Sequence, residues 1–143
     1  MTESLAPTVD RFAVTDPTMT PWWRAAGEGR LLLQRCDACG AHQFYPRPFC
    51  LRCESRAVAW VASRGTGRVY SQTIVHVPVV SWLTPPYVVA LVELDEGPRL
   101  LTNLVGPPCC IGDRVEVCWD VRDDLVVPLF TACEERIHDD NER

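Results

Sequence analysis

The chain contains no lysine: all 14 of its basic residues are arginine. This absence excludes lysine Schiff-base chemistry and the lysine of nucleotide-binding phosphate loops, because both require a primary amine. The arginines are outnumbered by 19 acidic residues, which gives a net charge of -5. Since nucleic acids and anionic lipids both favour basic surfaces, the charge argues against either of them as a partner.

Long apolar runs and a secretory leader are also missing. The longest apolar stretches, such as residues 87–92, fall far short of the roughly 20 residues of a membrane-spanning helix. The N-terminus has no basic start followed by an apolar segment. We therefore expect a soluble, cytoplasmic protein with no membrane partner. In the cytoplasm most thiols stay reduced, so paired cysteines there more often bind metal than form disulfides.

Cysteine, by contrast, is abundant, with eight residues in 143. Four of the cysteines form two CxxC pairs that are separated by ten residues. Two intervening residues allow a tight turn to direct both sulfurs at one ion, and two facing turns complete a tetrahedron. The spacing predicts one structural zinc ion per chain, held by Cys36, Cys39, Cys50 and Cys53.

Three other interpretations of these pairs carry less weight. An iron centre of the rubredoxin type uses similar turns and stays open as an alternative. A redox dithiol does not explain why the pair is duplicated. A catalytic zinc usually keeps three protein ligands and one open position, so four cysteine ligands disfavour a catalytic role for the metal. With four cysteines available, His42 is expected to be a loop residue rather than a ligand.

The remaining cysteines match no metal spacing, and we expect them to be small buried apolar residues or incidental thiols. No GxSxG turn or recognisable cysteine–histidine arrangement accompanies them, so the sequence offers no catalytic residue. These four residues are Cys109, Cys110, Cys118 and Cys133.

The first half of the chain predicts a short helix and a cysteine-bearing hairpin. Thr20 can cap the helix. Pro21 suits its first position, because the N–H that a proline lacks would have no partner there in any case. Residues 31–35 are predicted to form a strand that leads into the first cysteine pair, and residues 42–45 return as its partner. Helix and hairpin together predict a zinc ribbon.

The second half predicts a β-barrel. It is rich in valine, leucine and aromatic residues, and segments with proline, glycine and aspartate divide it into strands. No helical period separates these strands, which disfavours a parallel βαβ arrangement. Five strands in roughly 70 residues suffice for a closed barrel of the oligonucleotide/oligosaccharide-binding (OB) type, with a β-sandwich as the alternative. The predicted strands are 60–63 continuing at 67–76, 87–94, 99–105, 114–119 and 126–131.

The predicted fold class is therefore mainly β, with an N-terminal short helix and zinc ribbon followed by a five-stranded OB-fold barrel. Its expected segments are a flexible arm at 1–19, the helix and ribbon at 20–58, the OB-fold domain at 59–133 and a polar tail at 134–143.

The order of these elements resembles a known family. LLLQRCDACG, the run QFYPRPFC, the second CxxC pair and the five-stranded region are similar to rubredoxin-like zinc-ribbon and OB-fold proteins of acyl-CoA metabolism. The resemblance spans about residues 20–132 and implies that the four cysteines of the two pairs are metal ligands. This sequence departs from the common form at the second pair, where Leu51 and Glu54 stand in place of proline and glycine.

The resemblance also implies a non-catalytic accessory subunit. The implied partner is a thiolase-like or lipid-transfer-protein-like enzyme subunit, such as a thiolase, an acyltransferase or a steroid side-chain aldolase. A hydratase and acyl-CoA itself are further implied partners. No catalytic residue carries over, because the chemistry of the family resides in the partner chain.

Several side chains are candidates for the partner or acyl-CoA interface. Trp22 and Trp23 are adjacent and cannot point the same way on one helix, so one of them can pack while the other meets a partner; alternatively both pack on the ribbon. Trp82 and Leu83 lie in an unusually apolar loop. Arg47, with Arg52 and Arg56, either contacts CoA phosphates or is solvated.

A different class of function remains as the alternative, since zinc ribbons and OB barrels also occur in single-stranded nucleic-acid-binding proteins. Such proteins combine a positive groove with stacking aromatics. Here aromatics are present, but the net charge is negative and the arginines do not cluster.

Overall fold

A computed structural model describes residues 16–81, 83–122 and 125–133 of the chain. They fall into two compact units. The first comprises the chain up to Arg64, together with Glu96–Pro98 and Trp119–Pro128, and the second contains the other residues. Trp82, most of the predicted arm and the polar tail lie outside the described residues. No helix in the described part is long and apolar enough to cross a membrane.

Among the described residues of the first unit, a 3-10 helix at Pro17–Met19 runs directly into α1 at Thr20–Gly27. The carboxylate of Asp16 caps this segment by accepting the N–H of Thr18 at 3.2 Å. The prediction that Thr20 caps the helix is therefore wrong. Since an aspartate followed by a proline already begins a helical turn earlier in the chain, Thr20 lies inside the helical segment.

A three-stranded antiparallel sheet follows, with β1 at Leu32–Cys36, β2 at His42–Gln43 and β3 at Val58–Ala62. Strand β1 is central, and Leu31, Leu32 and Leu33 beside it and within it are buried. Its partners align Gln34 with Gln43 on one side and with Trp60 on the other. The short helix and hairpin predicted from the sequence are confirmed.

Strand β3 differs from the prediction, which joined residues 60–63 to the first long barrel strand. It pairs with β1 along five residues instead, from Leu32 opposite Ala62 to Cys36 opposite Val58. The pairing continues to the end of the predicted segment, since the N–H of Ser63 bonds the carbonyl of Leu31 at 2.8 Å. A predicted single strand is thus two strands that belong to different sheets.

The second half of the chain closes into a five-stranded barrel. The strands are β4 Thr66–Val75, β5 Tyr87–Leu94, β6 Arg99–Leu104, β7 Arg114–Arg122 and β8 Leu125–Ala132. Their order in the barrel is β4-β5-β6-β8-β7, and β6 and β8 run parallel where Leu104 faces Phe130. This is the Greek-key order of an OB fold, so the predicted fold class is confirmed and the β-sandwich is excluded.

Alternation along the strands fills the barrel. On β5, every second residue, Ala90, Val92 and Leu94, is buried. Phe130 supplies the largest side chain that is fully buried. Strands β4 and β5 approach closely at Gly67, where a Cβ atom would lie 2.3 Å from the carbonyl oxygen of Glu93. A glycine is therefore required at this position by space.

We expect Gly67→Ala to destabilise the barrel by about 1–3 kcal/mol, because the added methyl group can be accommodated only if the backbones of β4 and β5 separate. The free energy of unfolding in urea measures the effect. Thr73→Ala, at an exposed position of the same strand, serves as the control and should change stability little. Equal stability of Gly67→Ala and the wild type would contradict the close approach.

Candidate metal centre

Two turns bring the four paired cysteines together. The first turn (residues 36–39) follows directly from β1, and the second turn (residues 50–53) precedes β3. The Sγ atoms of Cys36 and Cys53 are 3.6 Å apart, those of Cys39 and Cys50 are 3.7 Å apart, and all four lie within 4.8 Å of one another. A tetrahedral ion with metal–sulfur bonds of about 2.3 Å requires sulfurs about 3.8 Å apart. The donor set and its spacing therefore fit such an ion.

The two turns have the same backbone construction. The carbonyl of Cys36 accepts the N–H of Gly40, and the carbonyl of Cys50 accepts the N–H of Glu54, both at 2.8 Å. Each turn then ends in a left-handed residue, with φ of 82° at Gly40 and 67° at Glu54. Glu54 thus adopts the conformation that favours glycine, and the departure from the common family sequence leaves the turn geometry intact.

Backbone N–H groups polarise one thiol strongly. The N–H of Cys39, aided by that of Ala38, stabilises the Cys36 thiolate and lowers the pKa of Cys36 to about 6. Burial raises this pKa, but its effect is smaller. The N–H of Cys53 is the main cause of a lowered pKa at Cys50. The N–H of Arg52 also donates to the Cys50 sulfur at 3.3 Å.

Burial and hydrogen bonding to the neighbouring sulfurs act in the opposite direction on the Cys53 thiol. The N–H of Ser55 lowers the pKa of Cys53, but burial and the three neighbouring sulfurs outweigh it and raise the pKa to about 12. Cys36 and Cys50 thus ionise readily, whereas Cys53 does not. Such a set is suited to a cation, because a dication offsets the repulsion among four thiolates.

A pair of glutamines connects the second turn to the sheet. The Gln43 amide donates to the carbonyl of Phe49 at 3.0 Å and accepts the N–H of Leu51 at 3.0 Å. The same amide donates to Oε1 of Gln34, which also accepts the N–H of Arg47. Sequence reasoning missed this network; its only signal was a polar residue, Gln34, inside the apolar run that precedes the first turn.

His42 and the other four cysteines, which the sequence did not predict to be ligands, are not part of the thiol group. His42 sits in β2 opposite Arg35 and is outside the group of potential ligands found among the described residues. Cys110 is exposed, and Cys109, Cys118 and Cys133 are half-buried.

The predicted interface residues have different environments. Trp22 is 5% exposed, stacks edge-on against Trp23 at 4.8 Å between ring centroids and contacts Phe44. It is therefore a core residue, whereas Trp23 is half-buried. Leu83 is also half-buried, and its neighbour Trp82 lies outside the described residues.

The three predicted arginines lie in two different grooves. Arg47 and Arg56 line one groove of about 470 Å³ together with Trp60, while Arg52 lines another of about 280 Å³. Two exposed apolar side chains were not among the predicted interface residues: Tyr45 is 59% exposed and Leu51 is 58% exposed.

Known proteins resemble both halves of this arrangement. The family model described as "ChsH2, rubredoxin-like zinc ribbon domain" matches residues 23–59. The family model described as "ChsH2, C-terminal OB-fold domain" matches residues 60–120.

Among individual relatives, a "Probable enoyl-CoA hydratase alpha subunit" of Thermomonospora curvata is 44% identical over 113 residues. This match covers 76% of the present chain, which spans only 35% of the relative. A "DUF35 domain-containing scaffold protein" of Methanocaldococcus jannaschii is 32% identical, with 66% of this chain and 70% of the relative covered.

Among solved structures, a chain of the "Ltp2-ChsH2(DUF35) aldolase" superposes with a TM-score of 0.75. It is 42% identical, and the match covers 80% of this chain and 94% of that chain.

We expect Glu54→Gly to stabilise the second turn by about 1 kcal/mol, because a left-handed conformation costs a residue with a side chain more than it costs glycine. Denaturant unfolding of the metal-loaded protein measures this change. Glu28→Gly is the matched control, since Glu28 is exposed and has φ of -102°. Stabilisation by both variants, or by neither, would contradict strain at Glu54.

Proposed function

The chain belongs to the family represented by the ChsH2 zinc-ribbon and OB-fold domains and by the DUF35 scaffold proteins, and from this premise we propose that it is a non-catalytic accessory subunit. Its partner is an acyl-CoA enzyme of the thiolase superfamily. The observation that carries the proposal is the likeness to a chain of the Ltp2-ChsH2(DUF35) aldolase, at 42% identity over nearly the full length of that chain.

The partner reaction belongs to a defined range. A retro-aldol lyase acting on an acyl-CoA is favoured by the aldolase in that assembly. A thiolase or an acyltransferase of the thiolase superfamily is the other candidate partner. The proposed setting of the reaction is steroid or lipid degradation. The name of the Thermomonospora curvata relative adds a hydratase as a further candidate partner, although this chain spans about a third of that relative's length.

The metal in this proposal is zinc, one per chain, held by the four cysteines of the two turns. Zinc supplies a structural cross-link between them and no open coordination position for substrate. The chain supplies two buried ligands, Cys36 and Cys50, and two exposed ones, Cys39 and Cys53. The backbone N–H groups that donate to the sulfurs orient the ligands and favour their ionised state.

Docking to the partner enzyme is assigned to apolar side chains that reach the surface. Trp23, which lies against the buried Trp22, is one candidate. The apolar loop segment with Trp82 and Leu83 is another, because an apolar connection between strands is unusual unless something covers it. Tyr45 and Leu51 extend the exposed apolar area on the ribbon.

Contact with acyl-CoA is assigned to the groove beside Arg47. The groove combines the two cationic side chains of Arg47 and Arg56 with the indole of Trp60. Guanidinium groups suit phosphates, and the apolar side chains of the lining suit the pantetheine or acyl portion.

The cytoplasm is the proposed location, because its reducing conditions keep the thiols available for metal. The ribbon and barrel segments are proposed to be separate domains, in line with their separate hydrogen-bonded sheets.

Purified protein should contain about one zinc ion per chain and essentially no iron, because a single four-thiolate site holds one ion. Cys36→Ser should lose the metal and the ordered ribbon, since binding energy at such sites contributes directly to folding. Elemental analysis and ribbon amide signals in NMR spectra measure both effects. Cys110→Ser, at an exposed cysteine outside the cluster, is the control. Iron in place of zinc would overturn the metal assignment.

Co-expression with a thiolase-like enzyme encoded next to this chain should yield a stable complex, and the enzyme should be less active alone. Trp82→Ala should weaken the complex about 10-fold or more, as expected for a tryptophan at an interface centre. Co-purification and titration measure the effect. Ile111→Ala, at an exposed apolar residue in the second half of the chain, is the control. Full activity of the neighbour alone, with no complex, would refute the accessory role. Binding of single-stranded nucleic acid would favour the alternative function.

A further inference from the structure

We propose that Gln43 and Gln34 are positioning residues for the metal centre: their linked amides fix the second turn so that Cys50 meets the other three sulfurs. This inference rests on the proposed metal site and concerns how the chain builds it. Neither glutamine is a ligand, since their amides bond to backbone groups and to each other.

Gln43 holds the backbone on both sides of Cys50. Its Nε2 donates to the carbonyl of Phe49, the residue before the ligand, and its Oε1 accepts the N–H of Leu51, the residue after it. A neighbouring β-strand would make this same pair of bonds, one donated and one accepted. Residues 49–51 are not part of a strand, so the Gln43 amide takes the place of the missing backbone partner.

Gln34 fixes the orientation of that amide. Its Oε1 accepts the second Nε2 hydrogen of Gln43 at 2.8 Å and the N–H of Arg47 at 2.8 Å. With both hydrogens of Nε2 and the oxygen Oε1 engaged, the Gln43 amide satisfies its partners in one orientation only. Gln34 itself is 7% exposed and lies opposite Gln43 in the pairing of β1 and β2.

The network therefore joins the two halves of the ligand set. Gln34 lies two residues before Cys36 on β1, so it is fixed to the first turn by the strand that carries that turn. Gln43 carries the connection to Cys50 in the second turn. When a residue that hydrogen-bonds to a metal-binding segment is removed, the metal affinity typically falls about 10- to 100-fold.

Gln43→Leu tests the proposal, because leucine is similar in size and can neither donate to Phe49 nor accept from Leu51. We expect zinc affinity in chelator competition to fall about 10-fold. The Co²⁺-substituted protein should show altered d–d and thiolate-to-cobalt absorption, which reports ligand geometry. The matched control is Gln72→Leu, which removes one glutamine bond to the carbonyl of Cys109 in the barrel. It should leave both readouts unchanged.

Gln34→Leu is the second variant, in case Gln43→Leu does not fold. It keeps the contacts of Gln43 with the second turn but removes their anchor, and we expect a smaller loss of zinc affinity with the same spectral change. Wild-type affinity and an unchanged Co²⁺ spectrum in both variants would overturn the positioning role while leaving the metal site in place. Failure of the wild-type protein itself to bind zinc or Co²⁺ would instead refute the proposed metal site.

Discussion

The first unit depends on bringing four sulfurs from two separate turns to within a few ångströms of one another. The sheet supports the first turn directly, since Cys36 is the last residue of β1. The second turn has less support, because the run from Phe44 to Cys50 is irregular and proline-rich. A metal cross-link is a strong solution to this problem, since thiolate–metal bonds contribute about 10–16 kcal/mol of apparent free energy in finger-sized peptides. The ribbon can then remain small.

Strand β1 contributes to the sheet, the core and the metal site of that unit. Its neighbours on both sides are antiparallel strands, its leucines fill the core beside the buried Trp22, and its last residue is a ligand. It also carries Gln34, a polar side chain whose burial is tolerated because it accepts two hydrogen bonds. A change in β1 therefore affects the core, the sheet and the metal site together. The second turn, by contrast, tolerates Glu54 in a conformation that favours glycine.

Most of the features that could be predicted from the sequence depend on local patterns. The cysteine spacing identified all four members of the thiol cluster, and alternation with turn residues located the barrel strands, Tyr87–Leu94 to the residue. Long-range choices were harder. Whether residues 60–63 pair with β1 or continue into β4 depends on which strand lies alongside, and no local propensity encodes that. The Gln34–Gln43 network is likewise a contact across the sheet between two residues of unremarkable type.

Charge on the barrel strands bears on the choice between a protein and a nucleic-acid partner. Arg114 forms a two-pronged ion pair with Asp95, at 2.7 and 3.1 Å, and Arg99 pairs with Glu93 while lying over the ring of Tyr70. These contacts place a carboxylate beside each guanidinium and an arginine over an exposed aromatic ring. A strand of nucleic acid needs free cations and free rings, so it would have to break them. A protein surface can dock without breaking these contacts.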